Sequence, residues 1–269
     1  MESFALVTVA SGARSLRSLE HGETFHPVVG PMAEAQGLHV AQSRLVERAL
    51  EMSGPLIIWD VGLGAAANAV AVLEAFRGVT ARVELHSFDC TLAPLVFARE
   101  HAVELGYLTQ WLPALDDLLS RGSAEAGAVC WHFHNGDFRT IPIAPAPHAI
   151  LYDPYSPAAN PGLWTLDHFT RLRAALSEPC TLTSYSRSTA VRVTLALAGF
   201  HVGRGTATGE KDQTTIAATH RHLLSAPLDA AWLGRVQRST RGAPLREGGG
   251  PGPISEADFR VLGERLLLQ

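Results

Sequence analysis

The sequence predicts an α/β fold, in which a parallel β-sheet is covered on both faces by helices. The first observation is that short apolar, β-rich runs alternate with helical stretches between residues 56 and 219. The second is a tight glycine turn that joins one of these runs to an Ala-rich stretch. The third is the composition: 269 residues, 46% apolar and 18% charged, with a net charge of −4, are typical of a globular protein with one or two domains. Disorder is excluded for most of the chain.

The first strand–turn–helix unit is the clearest. Leu56–Val61 is a short apolar run of β-forming residues, and Gly62-Leu63-Gly64 is a tight turn. Residues 65–77 are rich in alanine and have strong helix propensity up to Gly78. The sequence therefore predicts a buried strand that passes directly into a helix.

The other elements follow in order along the chain. A helix is predicted at 33–52, after strand-like stretches within 1–30. Further strands are predicted at 82–88, ending on Asp89, and at 128–133, 148–152, 180–185, 200–203 and 214–219. Further helices are predicted at 93–105, 111–120, 163–176 and 188–198, with a terminal helix capped by Ser255 after the Gly/Pro linker 248–253. We expect three regions: an N-terminal extension at 1–50, a core at 51–224 and a C-terminal extension at 225–269.

Several classes of protein are excluded by what the chain lacks. No apolar run approaches the roughly 20 residues of a spanning helix, and the N-terminus lacks a basic leader region, so we expect a cytoplasmic protein without membrane contact. Cys90, Cys130 and Cys180 are odd in number and far apart, which predicts small buried side chains rather than disulfides or a CxxC metal site. No GxSxG motif is present, which argues against a hydrolase.

Two histidines are candidate metal ligands. His132 and His134 alternate along a predicted strand and therefore share one face of the sheet. A zinc site needs at least three protein ligands, and no third ligand cluster is evident. The sequence therefore predicts no metal.

The glycine turn fits two cofactors. Read as G-x-G-x-x-A from Gly62 to Ala67, with Asp89 as an acid 22 residues further on, it matches the dinucleotide fingerprint. Read as D-x-G-x-G from Asp60, with the same Asp89 at the end of the second strand, it suits S-adenosylmethionine, whose ribose hydroxyls the carboxylate would hold. The turn by itself leaves both possibilities open.

The end of the fourth predicted strand favours methylation of an amine. Asp153-Pro154-Tyr155-Ser156-Pro157 follows this strand, so an acid and an aromatic ring stand at the carboxyl edge of the sheet, where open α/β folds bind ligands. Methyl transfer from a sulfonium requires a neutral, oriented nitrogen lone pair. Asp153 would orient the amine or accept its proton. The Tyr155 ring would stabilise the growing positive charge by roughly 0.5–2 kcal/mol.

A longer pattern resembles a known family. It comprises Asp153–Pro157, Asn160-Pro161, Leu163-Trp164-Thr165, Thr183–Ser186, Val191-Arg192, Leu195, Ala198-Gly199-Phe200, Gly205 and Lys211. This pattern resembles the methyltransferase family of bacterial tRNA wobble-uridine modification, which is the methyltransferase half of the bifunctional MnmC enzymes and its stand-alone relatives. The resemblance extends over about residues 22–219, and His21–Pro27 looks like the family's entrance segment.

The resemblance implies a Rossmann-like class I methyltransferase fold with a mostly parallel, seven-stranded sheet. It also implies S-adenosyl-L-methionine as cofactor and the 5-aminomethyl nitrogen of a wobble uridine in tRNA as acceptor. The family's cofactor contacts carry over to Glu34, Asp60, Gly62, Gly64, Asp89, Asp137 and Phe138. Asp153 matches the catalytic acid, with Tyr155 beside it, and substrate contacts are expected at Ser156, Asn160, Trp164, Arg192 and Lys211.

The resemblance makes the anticodon loop of tRNA the expected partner. Nine basic against three acidic residues lie between Arg187 and Arg246, a local net charge of 9 − 3 = +6 that suits phosphates. Family members fused to a flavin oxidase are over twice this size, so no fused oxidase domain is expected here. The family's GxGxKRE-like string is replaced by residues 205–213, which lack its second basic residue. That departure keeps another amine acceptor as the second hypothesis; an NAD-dependent dehydrogenase and a catalytically silent RNA-binding relative are the third and fourth.

Overall fold

The computed structural model describes residues 3–26, 28–141, 145–177, 179–207 and 213–267. The strands are β1 (Phe4–Thr8), β2 (Arg14–Ser18), β3 (Leu56–Val61), β4 (Val83–Asp89), β5 (Ser123–Ala126), β6 (Val129–Asn135), β7 (Ala149–Tyr152), β8 (Thr181–Ser184), β9 (His201–Gly205) and β10 (Thr214–Ala218). The α-helices are α1 (Pro31–Glu34), α2 (Leu45–Glu51), α3 (Ala67–Ala75), α4 (Ala93–Glu100), α5 (Ala102–Leu105), α6 (Leu112–Arg121), α7 (Leu166–Ala175), α8 (Thr189–Leu197), α9 (Ala230–Gln237) and α10 (Glu256–Leu267).

The main sheet confirms the predicted α/β fold. Its strand order in the described part of the chain is β5-β6-β4-β3-β7-β8-β10-β9. The strands from β6 to β8 are parallel, whereas β5, β10 and β9 pair antiparallel with their neighbours. The described sheet therefore has eight strands instead of the predicted seven. The additional strand is β5, whose Ser-Ala-Glu-Ala sequence lacks β-branched and aromatic residues and is held by pairing with β6 at the sheet edge.

The core explains why β3 is uniformly apolar up to Asp60. All six residues of β3 are buried, because one cluster of apolar side chains covers each face of the sheet. One cluster is supplied by α3, α4 and α6, and the other by α7, α8 and α10. Parallel strands covered on both faces leave only their carboxyl edge open for a ligand.

Two predicted helices are interrupted. The helix predicted at 93–105 breaks at His101 into α4 and α5. The helix predicted at 33–52 becomes α1, a π-helical turn at Ala35–Ala41, and α2, which begins after Arg44 in a left-handed conformation. Within the π-helical turn, His39 is buried and its Nδ1 lies 2.8 Å from Thr183 Oγ1 on β8. Local periodicity in the sequence cannot predict an interruption that depends on a hydrogen bond to a distant part of the chain.

The N-terminal hairpin folds over the carboxyl edge of the sheet. β1 and β2 form a separate antiparallel pair, in which Leu6 lies opposite Leu16. The Phe4 ring packs at 5.8 Å on the Phe97 ring of α4. After β2 the chain turns back, and Phe25 N–H donates to Leu16 O at 2.8 Å. This turn brings residues 21–26 to the edge where the strands β3, β4 and β7 end.

The C-terminal segment packs on the core. Asp258 N–H donates to Ser255 Oγ at 3.1 Å, which confirms the predicted cap of the terminal helix. Arg246 binds both carboxylate oxygens of Asp258, at 3.1 and 2.7 Å, and so ties the chain before the Gly/Pro linker to α10. Leu262 of α10 is fully buried in the cluster that includes α8. Within the described ranges, none of the helices has the length and apolarity to traverse a bilayer.

The structure corrects the expectation that all three cysteines are buried. Only Cys180 of the three is buried, whereas Cys90 and Cys130 are exposed. Cys130 lies between buried Val129 and Trp131 on β6, so its side chain points to the opposite face of the sheet. Cys90 follows the end of β4, at the rim of the cavity described next.

Candidate active site

A cavity of about 500 Å³ opens at the carboxyl edge of the main sheet. It is lined by residues that follow the ends of several parallel strands: Gly62 after β3, Asp89 at the end of β4, Asp137 after β6 and Asp153 after β7. Tyr185, directly after β8, completes this row. Cavities of this size hold small molecules and cofactors, and this edge of a parallel sheet is where such ligands bind.

The glycine turn is shaped by close backbone contacts. Gly62 adopts φ +92°, and a Cβ at this position would lie 2.7 Å from the backbone oxygen of Asp153. Gly62 and Leu63 N–H both donate to Phe88 O, at 3.0 and 3.2 Å. Only glycine fits here, because any side chain would both clash and force an unfavourable φ. The turn therefore brings the backbone at the end of β3 against Asp153.

Asp89 holds the second half of the turn. Gly64 N–H donates to Asp89 Oδ2 at 3.1 Å, and Thr91 N–H donates to Asp89 Oδ1 at 3.3 Å. These bonds fix the orientation of the carboxylate on the cavity wall. A carboxylate at the end of the second strand is the group that binds ribose hydroxyls in sheets of this kind.

Asp60 lies beneath the turn instead of on the cavity wall. Its side chain is fully buried and accepts a hydrogen bond from Ser87 Oγ at 2.8 Å, and Ser87 Oγ in turn accepts one from Trp131 Nε1 at 2.9 Å. Burial raises the pKa of the Asp60 carboxyl to about 7; the nearby Asp153 and Asp89 act in the same direction, and the Ser87 hydrogen bond opposes them. The expected cofactor contact is thus corrected to a role beneath the turn, because β3 points this side chain into the core.

Asp153 is held by residues from two other segments. Asn68 Nδ2, in the first turn of α3, donates to Asp153 Oδ2 at 2.9 Å. His26 Nε2, from the returning N-terminal segment, lies 3.8 Å from the same oxygen. The Asp153 side chain is 13% exposed, so it faces the cavity from a largely desolvated position.

A second carboxylate lies on the other side of His26. Glu34 of α1 is buried, and its Oε2 is 3.9 Å from His26 Nδ1. Both residues line the cavity. Two of the carboxylates that line the cavity, Glu34 and Asp153, thus have one imidazole between them.

The loop after β7 is fastened to the N-terminal hairpin. The Glu23 carboxylate accepts hydrogen bonds from Ser156 N–H, at 3.1 Å, and from Ser156 Oγ. The Tyr155 ring packs against His21, with ring centroids 4.4 Å apart, and against Phe25, at 5.5 Å. Tyr155 and Ser156 line the cavity, so the hairpin and this loop form one wall of it.

Trp164 does not reach the cavity. Its ring is fully buried, and its Nε1 donates to Tyr155 O at 2.9 Å. Tyr185 Oη similarly donates to Pro154 O at 3.1 Å. The expected substrate contact of Trp164 is therefore corrected: this side chain supports the Tyr155 loop from behind, because the 3₁₀ turn Pro161–Trp164 directs it inward.

The far end of the cavity combines one aromatic and several polar groups. Phe138 packs on Phe88 with ring centroids 5.1 Å apart and presents a small part of its ring to the cavity. Asp137 accepts from Arg139 Nε at 3.0 Å, and this hydrogen bond lowers the pKa of the Asp137 carboxyl. The Phe138 end thus offers an apolar face beside hydrogen-bonding groups, as a purine ring requires. Asn160 lines the cavity from the loop after β7, where its N–H donates to Ser156 O at 2.8 Å.

Arg192 is directed away from the cavity. It is 5% exposed and donates to Thr215 Oγ1 at 3.0 Å and to Thr214 O at 2.8 Å, which joins α8 to β10. Burial lowers the pKa of this guanidinium to about 10. The expected substrate contact of Arg192 is thus corrected, because β10 already uses its donors. Lys211 lies outside the described residues.

Sequence reasoning did not single out three residues of the site. Asn68, His26 and Glu23 each contact a residue of the loop after β7. His26 and Glu23 lie inside the segment recognised as an entrance, but nothing in the sequence assigned them a partner. Asn68 is the one polar residue in an otherwise apolar run, 65–73, which is a signal that could have indicated it.

Three histidines on two neighbouring strands of the sheet form a stack of rings. His86 on β4 stacks between His132 and His134 of β6, with ring centroids 5.1 and 5.2 Å apart. His86 Nδ1 lies 2.9 Å from His134 Nε2. Among the described residues, no group of three or more His, Cys, Asp or Glu side chains is arranged to hold a metal ion.

Comparisons with known proteins agree with this geometry. A family model described as S-adenosyl-L-methionine-dependent methyltransferase matches residues 124–220. The chain is similar to "tRNA 5-methylaminomethyl-2-thiouridine biosynthesis bifunctional protein MnmC" from Azoarcus sp., with 30% identity over 208 residues, 73% of this chain and 33% of the relative. The protein of the same name from Ectopseudomonas mendocina is 28% identical over 268 residues, 93% of this chain and 40% of the relative. The chain thus spans a third to two fifths of the length of these relatives.

A solved structure extends the comparison to the fold. MNMC2 from Aquifex aeolicus matches with a TM-score of 0.71 and 23% identity, over 99% of this chain and 84% of that one. The site also fits the cofactor named by the family model: the glycine turn lines the cavity without side chains, Asp89 is oriented at a strand end, and Phe138 offers an apolar face. The cofactor is S-adenosyl-L-methionine, which decides between the two cofactors that the turn left open. The family model and the relatives support an MnmC-type, S-adenosyl-L-methionine-dependent methyltransferase domain, and the solved structure shows its fold.

Proposed function

We propose that this chain methylates the nitrogen of the 5-aminomethyl group of a wobble uridine in tRNA, in the cytoplasm. The acceptor is suggested by the relatives, whose printed name describes biosynthesis of tRNA 5-methylaminomethyl-2-thiouridine. The reaction type is supported by the site, where a carboxylate stands beside the glycine turn. The name of the relatives is not sufficient without the geometry of the site, because the relatives are much longer than this chain and their name describes the whole protein.

The observation that carries the proposal is the position of Asp153. A Cβ at Gly62 would lie 2.7 Å from the backbone oxygen of Asp153, so the loop that contains Asp153 and the glycine turn are in direct contact. The Asp153 carboxylate is fixed by Asn68 and is largely shielded from water. A base that shares a wall with the methyl donor can meet the amine within one cavity.

The protein's own groups then have defined tasks. Bound S-adenosyl-L-methionine supplies an electrophilic methyl group on a sulfonium. Asp153 accepts an N–H of the neutral amine and so points the nitrogen lone pair at that methyl group. After transfer the nitrogen is cationic, and Asp153 takes up one of its protons. Positioning and proton uptake are together the main contributions a protein makes to this displacement.

The aromatic wall suits the rest of the acceptor. The Tyr155 ring, supported by His21 and Phe25, stands beside Asp153 at the cavity. Rings of this kind stack on bases that have left a nucleic-acid stack, with roughly 1–3 kcal/mol per base. They also stabilise a cationic nitrogen close to a ring face. We assign Tyr155, Ser156 and Asn160 to acceptor binding on this basis.

A second set of residues is assigned to the cofactor. Asp89 would hold the ribose hydroxyls, and Asp137 with Phe138 would hold the adenine. Gly62 and Gly64 would form the surface beneath it, and Glu34 would face its methionine end. Asp60 would keep the turn in place from below, through Ser87.

The test compares the nucleosides of tRNA from a deletion strain with and without the gene restored. Mass spectrometry should detect 5-aminomethyl-uridine in the deletion strain and its methylated form after restoration. The purified chain, given S-adenosyl-L-methionine and tRNA from that strain, should form the same product. An unchanged nucleoside profile in the deletion strain would contradict the proposed acceptor.

Several basic residues are already paired with other groups of this chain, which favours a second class of acceptor. Arg192 binds β10, Arg204 pairs with Asp229 at 3.0 Å, and Arg246 pairs with Asp258 at 2.7 Å. These contacts reduce the charge available for tRNA phosphates, which leaves a small-molecule amine as the alternative acceptor. Methyl transfer to a free amine, together with no transfer to tRNA from the deletion strain, would favour this class.

A further inference from the structure

His26 lies between two of the carboxylates that line the cavity, Asp153 and Glu34, and presents one ring nitrogen to each. Nε2 lies 3.8 Å from Asp153 Oδ2, and Nδ1 lies 3.9 Å from Glu34 Oε2. The side chain is 10% exposed, so it has little contact with water. An imidazole can accept a proton at one nitrogen and carry a proton at the other, and this placement presents one nitrogen to each carboxylate.

The backbone of His26 indicates that this placement is imposed by its surroundings. His26 has φ +47°, in the left-handed region that non-glycine residues rarely adopt. The flanking contacts keep it there: Phe25 N–H donates to Leu16 O, and Thr24 pairs with Arg17. Strained conformations of this kind are concentrated at functional sites.

We infer that His26 receives the reaction's proton from Asp153 and returns Asp153 to its anionic form. This inference rests on the proposed function, in which Asp153 is the base. In the first step the nitrogen–methyl bond forms while the sulfur–methyl bond breaks, and the sulfur keeps that electron pair. Asp153 then takes one proton from the cationic nitrogen, which leaves a neutral secondary amine.

In the next step that proton moves from Asp153 to His26 Nε2. His26 becomes an imidazolium with a proton on each nitrogen, and Nδ1–H faces the Glu34 carboxylate. The charge of Glu34 stabilises the cation. The proton passes to water when product leaves, so each turnover releases one proton and restores all three side chains.

The groups around His26 favour this role. Asp153 approaches from the loop after β7 and Glu34 from α1, and both are anionic partners for an imidazolium. His39, on the π-helical turn, interacts electrostatically with His26, and burial lowers the pKa of His39 to about 3. It therefore stays neutral and neither competes for the proton nor repels the cation strongly. Tyr185, near both carboxylates, also stays neutral because burial raises its pKa.

The test uses two variants that tolerate the left-handed backbone. His26→Gly removes the ring and leaves a space for an added imidazole, whereas His26→Asn removes the base but fills part of that space. We expect both to lower kcat by about 10- to 100-fold, with the Kd for S-adenosylhomocysteine within about twofold of the wild type. Added imidazole should raise kcat of His26→Gly at least about fivefold in a saturable manner and leave His26→Asn unchanged.

The control is His222→Gln, which alters an exposed histidine on a short 3₁₀ turn and should keep the wild-type kcat with or without imidazole. A kcat of His26→Gly within twofold of the wild type would overturn the inference. So would a loss that imidazole does not restore, or a cofactor affinity that falls as much as kcat, because either result gives His26 a structural or cofactor-binding role. Wild-type enzyme that fails to methylate aminomethyl-uridine in tRNA contradicts the proposed function instead, and the variants are then compared on the amine that it does methylate.

Discussion

Asn68 donates its side-chain amide to Asp153 across 2.9 Å, although 85 positions separate the two residues. Asn68 lies in the first turn of α3, directly after the glycine turn, and Asp153 follows β7. β3 and β7 are neighbouring parallel strands, so the start of the helix after one meets the loop after the other. Asn68, which orients the proposed base, thus belongs to the same strand–turn–helix unit as the glycine turn.

Replacing Asp153 should remove activity without removing cofactor binding. Asp153→Ala and the isosteric Asp153→Asn should each lower kcat by about 10²- to 10⁴-fold, because neither side chain can accept the proton. The Kd for S-adenosylhomocysteine, measured by calorimetry, should stay within about threefold of the wild type. The exposed Asp167→Asn is the matched control, and turnover by Asp153→Ala at the wild-type rate would refute the assigned role.

Replacing Asn68 should affect the rate through Asp153. A hydrogen bond to a charged group contributes about 1.5–3 kcal/mol, so Asn68→Ala should lower kcat by roughly 10- to 100-fold. Asn68→Asp should be worse, because it would place a third carboxylate between Asp153 and the buried Asp60. Single-turnover rates at saturating cofactor measure this effect. Equal rates for the wild type and both variants would show that Asp153 needs no support from α3.

The buried Asp60 should make stability depend on pH in a defined direction. Its folded-state pKa, about 7, lies above the usual value of 3.8, so the folded protein holds this proton where the unfolded chain has lost it. The contribution of Asp60 to stability is therefore fully present below about pH 4 and is lost as the pH rises towards 7. Asp60→Asn cannot ionise, so its Tm relative to the wild type should rise between pH 4 and pH 8.

The measurement for Asp60 is differential scanning calorimetry of both proteins across that range. Glu256→Gln, which alters an exposed carboxylate on α10, should keep a nearly constant offset from the wild type. A constant offset for Asp60→Asn as well would mean that Asp60 is already ionised in the folded protein at low pH.

Replacing Arg192 should destabilise the fold. Arg192→Met leaves Thr214 O and Thr215 Oγ1 without their donor in a buried position, which costs about 1–3 kcal/mol for such groups. Tm should fall by several degrees, whereas the exposed Arg187→Met should change it by less than one degree. A stable Arg192→Met protein with a raised KM for tRNA alone would restore Arg192 to the substrate site.

Local patterns determined the architecture and the position of the site. The alternation of apolar runs with helical stretches predicted the parallel sheet, and Gly62, Asp89 and Asp153 were predicted at its carboxyl edge because each follows a strand. Parallel strands end at one edge, so order along the chain is sufficient for that conclusion. The edge strand β5 was missed because its sequence carries no β propensity of its own.

The direction of each side chain was decided by tertiary packing. Asp60, Trp164 and Arg192 fit the family pattern as well as Asp89 does, yet all three point into the core, where Ser87, Tyr155 O and β10 bind them. Conversely, His26, Glu23 and Asn68 reach the site through contacts that span 85 to 133 positions or depend on a strained turn. Backbone order and periodicity are local properties, so they are sufficient to predict which residues stand near the sheet edge. Which of those residues face the cavity depends on partners that folding brings together, and no local pattern contains that information.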